Sequence, residues 1–142
     1  MKKETKILIT IVAGLFLLLI AYTIQKQEIR KPMHIHSYLE IEIEGKNIVI
    51  PPNIGLLPGK HNAIHTHEED KYIHVESPVT RTFYLKEFFE VWEKTFNEQC
   101  IFQYCKDATH DLKVYVDEKE DNRFGDIVLE DKQHIKIVYS KK

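Results

Sequence analysis

The chain has 142 residues, a formal net charge of −2 and 43% apolar residues. This length allows one folded domain with an appendage and excludes two full domains. Basic residues are interspersed with acidic ones along the chain, so no basic run of the kind that binds nucleic acid is present. We therefore expect one globular domain with no nucleic-acid partner.

The N-terminal stretch Ile7–Ile24 carries no charged residue over eighteen positions. A helix that crosses the apolar core of a bilayer needs roughly 20 such residues. Basic residues stand on both sides of the stretch, namely Lys2, Lys3 and Lys6 before it and Lys26, Arg30 and Lys31 after it. The preceding lysines favour a cytoplasmic N-terminus, although the charge difference between the two flanks is modest.

The sequence thus predicts a cytoplasmic tip and transmembrane signal anchor in residues 1–24, a polar tether in 25–33 and an extracytoplasmic domain in 34–142. The membrane is then a partner through residues 7–24. A cleaved signal peptide is an alternative, although its apolar region is usually shorter, about 7 to 15 residues. A buried helix of a soluble protein is a second alternative.

Alternating apolar and polar residues predict several strands in the domain. We expect strands at 34–43, 47–50, 64–67, 72–76, 112–116 and 135–139, with a short extended piece at 127–129. A turn at 44–47 would join the first two strands as a hairpin. Residues 53–62 and 117–125 are predicted to be loops, and the acidic segment 68–71 is predicted to connect two short strands.

One amphipathic helix is predicted at 85–96. Its apolar residues recur at intervals of three and four, which places them on one helical face. They are Leu85, Phe88, Phe89, Trp92 and Phe96. One helix among several strands predicts an α+β domain.

The element order is similar to that of the β-grasp fold, in which a sheet curls around a single helix. The ending at 129–139 looks like that of small β-grasp sulfur carriers. Those carriers end in a free Gly-Gly tail, whereas this chain ends in Ser140-Lys141-Lys142, so the resemblance does not imply carrier chemistry.

Cys100 and Cys105 form the one cysteine pair of the chain. Outside the cytoplasm such a close pair is expected to form a disulfide. The alternative is a pair of thiolate metal ligands, although the spacing is wider than the C-x-x-C typical of zinc sites.

Histidines recur in pairs two residues apart, as do a histidine and a glutamate. The pairs are His34 with His36, His65 with His67, and His74 with Glu76. Residues at this spacing lie on the same face of a strand. In the first strand the paired histidines alternate with Leu39 and Ile41, so they are expected to point away from the core.

Neutral imidazole binds zinc, copper, nickel and iron, so these six residues are candidate ligands of a transition metal ion, copper or zinc. The acidic residues Glu68–Asp70 are candidate acceptors for the ring N–H groups of the ligands. His61, His110 and His134 occur singly and are expected to be surface residues. The alternative is a histidine-rich polar face that binds no metal.

The motif order H-I-H (34–36), I-P-P-N-I-G (50–55), H-T-H (65–67), I-H-V-E-S-P (73–78) and F-F-E-V-W (88–92) resembles that of a group of uncharacterised archaeal and bacterial proteins. These proteins are membrane-anchored or secreted, and the resemblance spans residues 34–139. It implies an extracytoplasmic, metal-binding domain. The group usually has an Asp after H-T-H and a Gly before I-H, where this chain has Glu68 and Lys71 or Tyr72.

Three functions follow from these observations. The leading hypothesis is an anchored extracytoplasmic metal-binding protein with a storage, delivery or structural role. The second is a non-catalytic interaction module or an accessory subunit of a membrane complex. The third is a metal-dependent hydrolase or oxygenase with Glu76 or Glu68 as general base. No nucleophile motif or phosphate-binding glycine loop supports another enzyme class, so a non-enzymatic role is favoured.

Overall fold

The computed structural model of the protein describes residues 3–29, 32–67 and 71–142. The chain forms two compact units. One contains the N-terminal helix with Pro78–Arg81, and the other contains Met33–Ser77 and Thr82–Lys142. The predicted acidic connection at 68–71 lies outside the described residues except for Lys71.

The first unit is built on helix α1 (Lys3–Ile29), which contains the whole of the predicted apolar stretch. Its segment Lys3–Lys26 is long and apolar enough to cross a membrane, by length and composition. The helix continues past Ile24, so the start of the segment predicted as a tether is helical. The direction in which the chain crosses the membrane stays a prediction.

The second unit contains eleven strands and one α-helix among the described residues. The strands are β1 (Met33–Ile43), β2 (Lys46–Asn47), β3 (Leu56–Leu57), β4 (Lys60–His61), β5 (Ile64–His65), β6 (Tyr72–Ser77), β7 (Cys100–Ile101), β8 (Tyr104–Cys105), β9 (His110–Val116), β10 (Lys119–Glu120) and β11 (His134–Lys141). The helix is α2 (Leu85–Val91). The α+β prediction is confirmed, whereas the β-grasp assignment stays a prediction.

A mixed sheet of seven described strands organises this unit. Its order is β10-β9-β11-β1-β6-β5, and β2 pairs with β1 beside this path. The first long strand, β1, runs parallel to the last strand, β11, and antiparallel to β6. The strand β1 therefore lies near the centre of the sheet.

The sheet has one apolar and one polar face, because strand side chains alternate. Leu39 and Ile41 of β1 are buried beside Ile135 and Ile137 of β11. His34 and His36 lie on the opposite face, where they are exposed and half-buried, respectively. The prediction that the first histidine pair points away from the core is confirmed.

Helix α2 is shorter than the predicted helix 85–96. It ends at Val91 because Glu93 adopts a left-handed φ of 56°. The Glu93 N–H then donates to the Glu90 carbonyl and the Lys94 N–H to the Phe89 carbonyl, as in a Schellman C-terminal motif. The predicted apolar face is nevertheless buried in part, since Leu85, Phe88 and Phe89 lie in the core.

Several predicted strands differ from those observed. The return strand at 47–50 is only the two-residue β2, the strand at 64–67 ends at His65, and the loop 53–62 contains the β3–β4 hairpin. The loop 117–125 contains β10, and the extended piece 127–129 contributes a single bridge between Val128 and Tyr84. The strands at 112–116 and 135–139 are present and longer than predicted.

Cys100 and Cys105 form a disulfide across the β7–β8 hairpin. Ile101 within this hairpin is fully buried, and Phe102 at its turn packs edge-to-face on Trp92. The disulfide thus closes a local corner against the end of α2, in agreement with the expectation from the sequence.

Candidate metal centre

Three neighbouring strands bring the predicted ligands together on the polar face of the sheet. The register pairs His36 of β1 with His74 of β6, and His74 with His65 of β5. His34 pairs with Glu76 in the next row. Because side chains in register on adjacent strands lie on the same face, these residues form a continuous polar surface.

His34, His36 and His74 form the first group of candidate ligands. Each offers a ring nitrogen, and the three nitrogens lie within 4.8 Å of one another. The ring centroid of His36 lies 4.6 Å from that of His34 and 4.7 Å from that of His74. The group is open to solvent, since His34 is exposed and the other two residues are half-buried.

His65, His67 and Glu76 form the second group, whose donor atoms also lie within 4.8 Å of one another. The Nε2 atoms of His65 and His67 are 3.0 Å apart. Two nitrogens that bind the same zinc ion tetrahedrally are separated by roughly 3.3 Å, given Zn–N bonds of about 2.0 Å. The spacing of the two imidazoles is therefore close to that of a ligand pair.

The protonation state of His65 is set by its surroundings. Its Nδ1 lies 3.0 Å from the Asn62 carbonyl, which can only accept, so Nδ1 carries the proton. Burial lowers the pKa of the imidazole below its ordinary value, because a charged ring loses solvation in a side chain that is 2% exposed. At neutral pH the ring is therefore neutral, and its Nε2 accepts a hydrogen bond from the Nε2–H of His67.

The position of this pair is held by Thr66, which lies between the two histidines and is buried. Its hydroxyl accepts a hydrogen bond from the Ile54 N–H and donates one to the Pro51 carbonyl. The Thr66 backbone N–H donates to the Ile54 carbonyl, and its carbonyl accepts from the Asn53 N–H. Four hydrogen bonds thus tie the H-T-H segment to residues 51–54.

The two groups are in contact. The ring centroid of His74 lies 4.7 Å from that of His67 and 5.8 Å from that of His65. The Glu76 carboxylate of the second group lies 3.2 Å from Nε2 of His34 in the first. All six residues predicted as ligands therefore lie in one cluster.

A cleft of about 510 Å³ opens beside the first group. The residues that line it are His36, His74, Tyr38, Tyr72, Asp131 and Lys132. The Asp131 carboxylate accepts the His36 backbone N–H at 3.0 Å and lies 3.8 Å from Nδ1 of that ring. The sequence analysis did not identify Asp131, Asn62 or Thr66 as part of the site. Their hydrogen bonds to His36, His65 and Pro51 depend on how the chain folds back on itself, which residue spacing does not reveal.

The remaining histidines lie outside both groups. His61 is exposed, in agreement with the prediction. His110 and His134 are half-buried rather than fully exposed. His110 lies near the carboxylates of Asp107 and Glu44, and His134 lies 3.9 Å from that of Glu40. The proposed acceptors Glu68–Asp70 lie outside the described residues.

Comparison with protein-family models, curated proteins and solved structures gives no match to this chain. The resemblance to the membrane-anchored or secreted group therefore stays a prediction. One conformational feature bears on it. Lys71, one of the two residues that the resemblance aligns with a single glycine (the other is Tyr72), has a φ of 64°, in the left-handed region that glycine adopts most readily.

Proposed function

We propose that this protein binds a transition metal ion, copper or zinc, on the polar face formed by β1, β5 and β6. The observation that carries the proposal is the convergence of six candidate ligands from β1, β6 and the segment 65–67, which begins at the end of β5. Five are imidazoles and one is a carboxylate, a donor set that suits these ions. The neutral His65 ring, whose Nδ1–H is held by Asn62, has the tautomer that a ligating Nε2 requires.

The geometry favours storage or delivery over a purely structural role. Structural zinc sites are usually closed by four protein ligands. The second group offers three donor atoms, from His65, His67 and Glu76, which leaves a coordination position open to an incoming ligand. The first group borders the cleft, so an ion there is accessible to a partner or a small ligand.

We further propose that the metal-binding unit lies outside the cytoplasm and is anchored by α1. The length and composition of α1 support an anchor, and the three lysines before its apolar stretch support this orientation. We also propose a β-grasp-like fold. Its basis is the central parallel pairing of the first long strand, β1, with the last, β11, and helix α2, the one α-helix described in this unit, which follows β6 in the chain.

Elemental analysis tests the metal proposal. The full chain is purified in detergent without a tag or chelator, and zinc and copper are counted per chain. We expect at least one equivalent, and its loss when His34, His36, His65 and His67 are all changed to Asn. The control variant His110→Asn/His134→Asn removes two histidines of the same domain outside both groups and should keep the metal. A folded wild-type chain that takes up neither ion would refute the proposal.

A further inference from the structure

We propose, building on the metal-binding function above, that the cluster is a dinuclear centre in which the Glu76 carboxylate bridges two ions. One ion is held by His34, His36 and His74, and the other by His65 and His67. Glu76 is then a ligand of both ions. The inference concerns the number of ions and the bridge, and it can fail while metal binding itself holds.

The spread of the donors argues for two ions. Adjacent strands lie about 4.8 Å apart, so β1 and β5, which flank β6, are separated by roughly 10 Å. Two nitrogens bound to the same ion by bonds of about 2.0 Å can be at most about 4 Å apart. Ligands on β1 and on β5 are therefore too far apart for one ion to bind both sets without rearrangement of the sheet.

Glu76 lies at the boundary between the two groups. It stands on the middle strand β6, in register with His34 of β1. One of its oxygens, Oε1, is 3.2 Å from Nε2 of His34, and a carboxylate oxygen lies within 4.8 Å of the ligand nitrogens of His65 and His67. A carboxylate has two oxygens, so this residue can bind an ion on each side.

Charge favours the bridge. The five histidines are uncharged when they bind metal, and two divalent cations in adjacent groups repel each other. Dinuclear sites typically hold their ions about 3.5 to 4 Å apart, and a shared carboxylate offsets part of that repulsion. Asp131 adds negative charge on the other side of the first group, 3.8 Å from Nδ1 of His36.

The two ions are expected to differ in affinity. The second group includes the buried His65, whose ring is held by Asn62 and whose segment is held by Thr66. The other members of the second group, His67 and Glu76, are exposed, as is His34 of the first group, which faces the cleft, so the difference between the groups rests on His65. Less conformational freedom is lost when a preorganised site binds its ligand, so the ion at His65 and His67 should bind first and more tightly.

The test loads the full chain, stripped of metal in detergent, with zinc or copper(II). We expect two equivalents in the wild type, bound in two steps, and one equivalent in either His34→Ala/His36→Ala or His67→Ala. These substitutions avoid the buried His65, and circular dichroism checks that each variant is folded. Glu76→Gln should weaken the second step at least tenfold, whereas Glu40→Gln, a carboxylate on the same face of β1, should not.

Electron paramagnetic resonance tests the bridge directly. Two copper(II) ions joined by a carboxylate couple magnetically, so the integrated spin of the fully loaded wild type should be lower than its copper content. A single equivalent that either histidine variant abolishes would overturn the inference and leave metal binding intact. Two equivalents with undiminished spin and no effect of Glu76→Gln would show independent sites and also overturn it. No uptake at all would refute the proposed function itself.

Discussion

Gly55 shapes the site although it carries no side chain. It has a left-handed φ of 76°, and a Cβ built on it would lie 2.6 Å from the Ile64 carbonyl oxygen and 3.3 Å from Cβ of His65. The loop therefore approaches β5 more closely than any other residue type would allow. This contact covers His65, and burial is what keeps its ring neutral.

Gly59 is a matched control for Gly55. It has the same φ of 76°, but a Cβ built on it would have no neighbouring atom within 4 Å. We expect Gly59→Ala to cost about 1 to 2 kcal/mol, the strain of a left-handed alanine. Gly55→Ala carries the same strain and a backbone clash, so its free energy of unfolding should fall by about 1 to 3 kcal/mol more. Denaturant unfolding of both variants measures the difference.

Metal titration of the same two variants measures whether the substitutions also change metal affinity at the candidate site. Gly55→Ala should also weaken the tighter metal-binding step, because the clash displaces His65, while Gly59→Ala should leave that step unchanged. Equal losses of stability in the two variants would show that the close approach of the loop to β5 has no energetic consequence.

Elements built from alternating residues were the most predictable part of the fold. Side chains on a strand change face at every residue whatever its neighbours are, so the outward direction of His34 and His36 followed from Leu39 and Ile41 alone. The order of the strands did not follow. The registers that place His36, His74 and His65 in one row depend on pairings between distant segments, for which periodicity carries no information.

The C-terminal end of α2 was predicted wrongly, because the apolar spacing extends beyond the helix itself. The apolar spacing continues to Phe96, and Phe96 does pack on Phe89 with ring centroids 4.5 Å apart. The backbone nevertheless leaves the helix at Glu93, a residue whose type does not mark a helix end as glycine would. The sequence thus predicted correctly that Phe96 packs in the core, but it predicted wrongly that the helix continues to this residue.

The β7–β8 corner offers a test at the scale of an element. The disulfide closes a loop with a sequence separation of 5, for which the chain-entropy relation gives about 2 kcal/mol. Cys100→Ser/Cys105→Ser should lower the free energy of unfolding by about that amount, and a reductant should lower that of the wild type equally while leaving the variant unchanged. Metal content should stay constant, and its loss would favour the thiolate-ligand alternative.

The whole molecule joins the unit that carries the candidate metal centre to an apolar helix, α1. Most large apolar side chains of α1 are exposed, a surface larger than soluble monomers usually leave in contact with water. The 27 residues of α1 extend about 40 Å, which is long enough to cross an apolar bilayer core of about 30 Å. With α1 as the proposed anchor, the candidate metal centre lies on one side of the membrane, and the sequence beside α1 bears on which side that is.

Charge on the two flanks of α1 gives only a modest preference. Three basic residues lie on each side of the apolar stretch, and each contributes about 1 kcal/mol when it lies near an anionic cytoplasmic surface. The proposed orientation, with the first flank in the cytoplasm, predicts that external protease digests the domain in spheroplasts of a bacterial host. The intact mass of the extracted protein separates a retained anchor, with all 142 residues, from a cleaved signal peptide.

Two matched variants then test the physical cause. Changing Lys2, Lys3 and Lys6 to Gln removes the cytoplasmic preference of the N-terminus, so a fraction of the chains should invert and their domains become protected from external protease. Changing Lys26, Arg30 and Lys31 to Gln removes the opposing charges and should leave the domain fully accessible. If both triple variants behave alike, flanking charge does not orient this chain. The orientation would then be set by α1 itself.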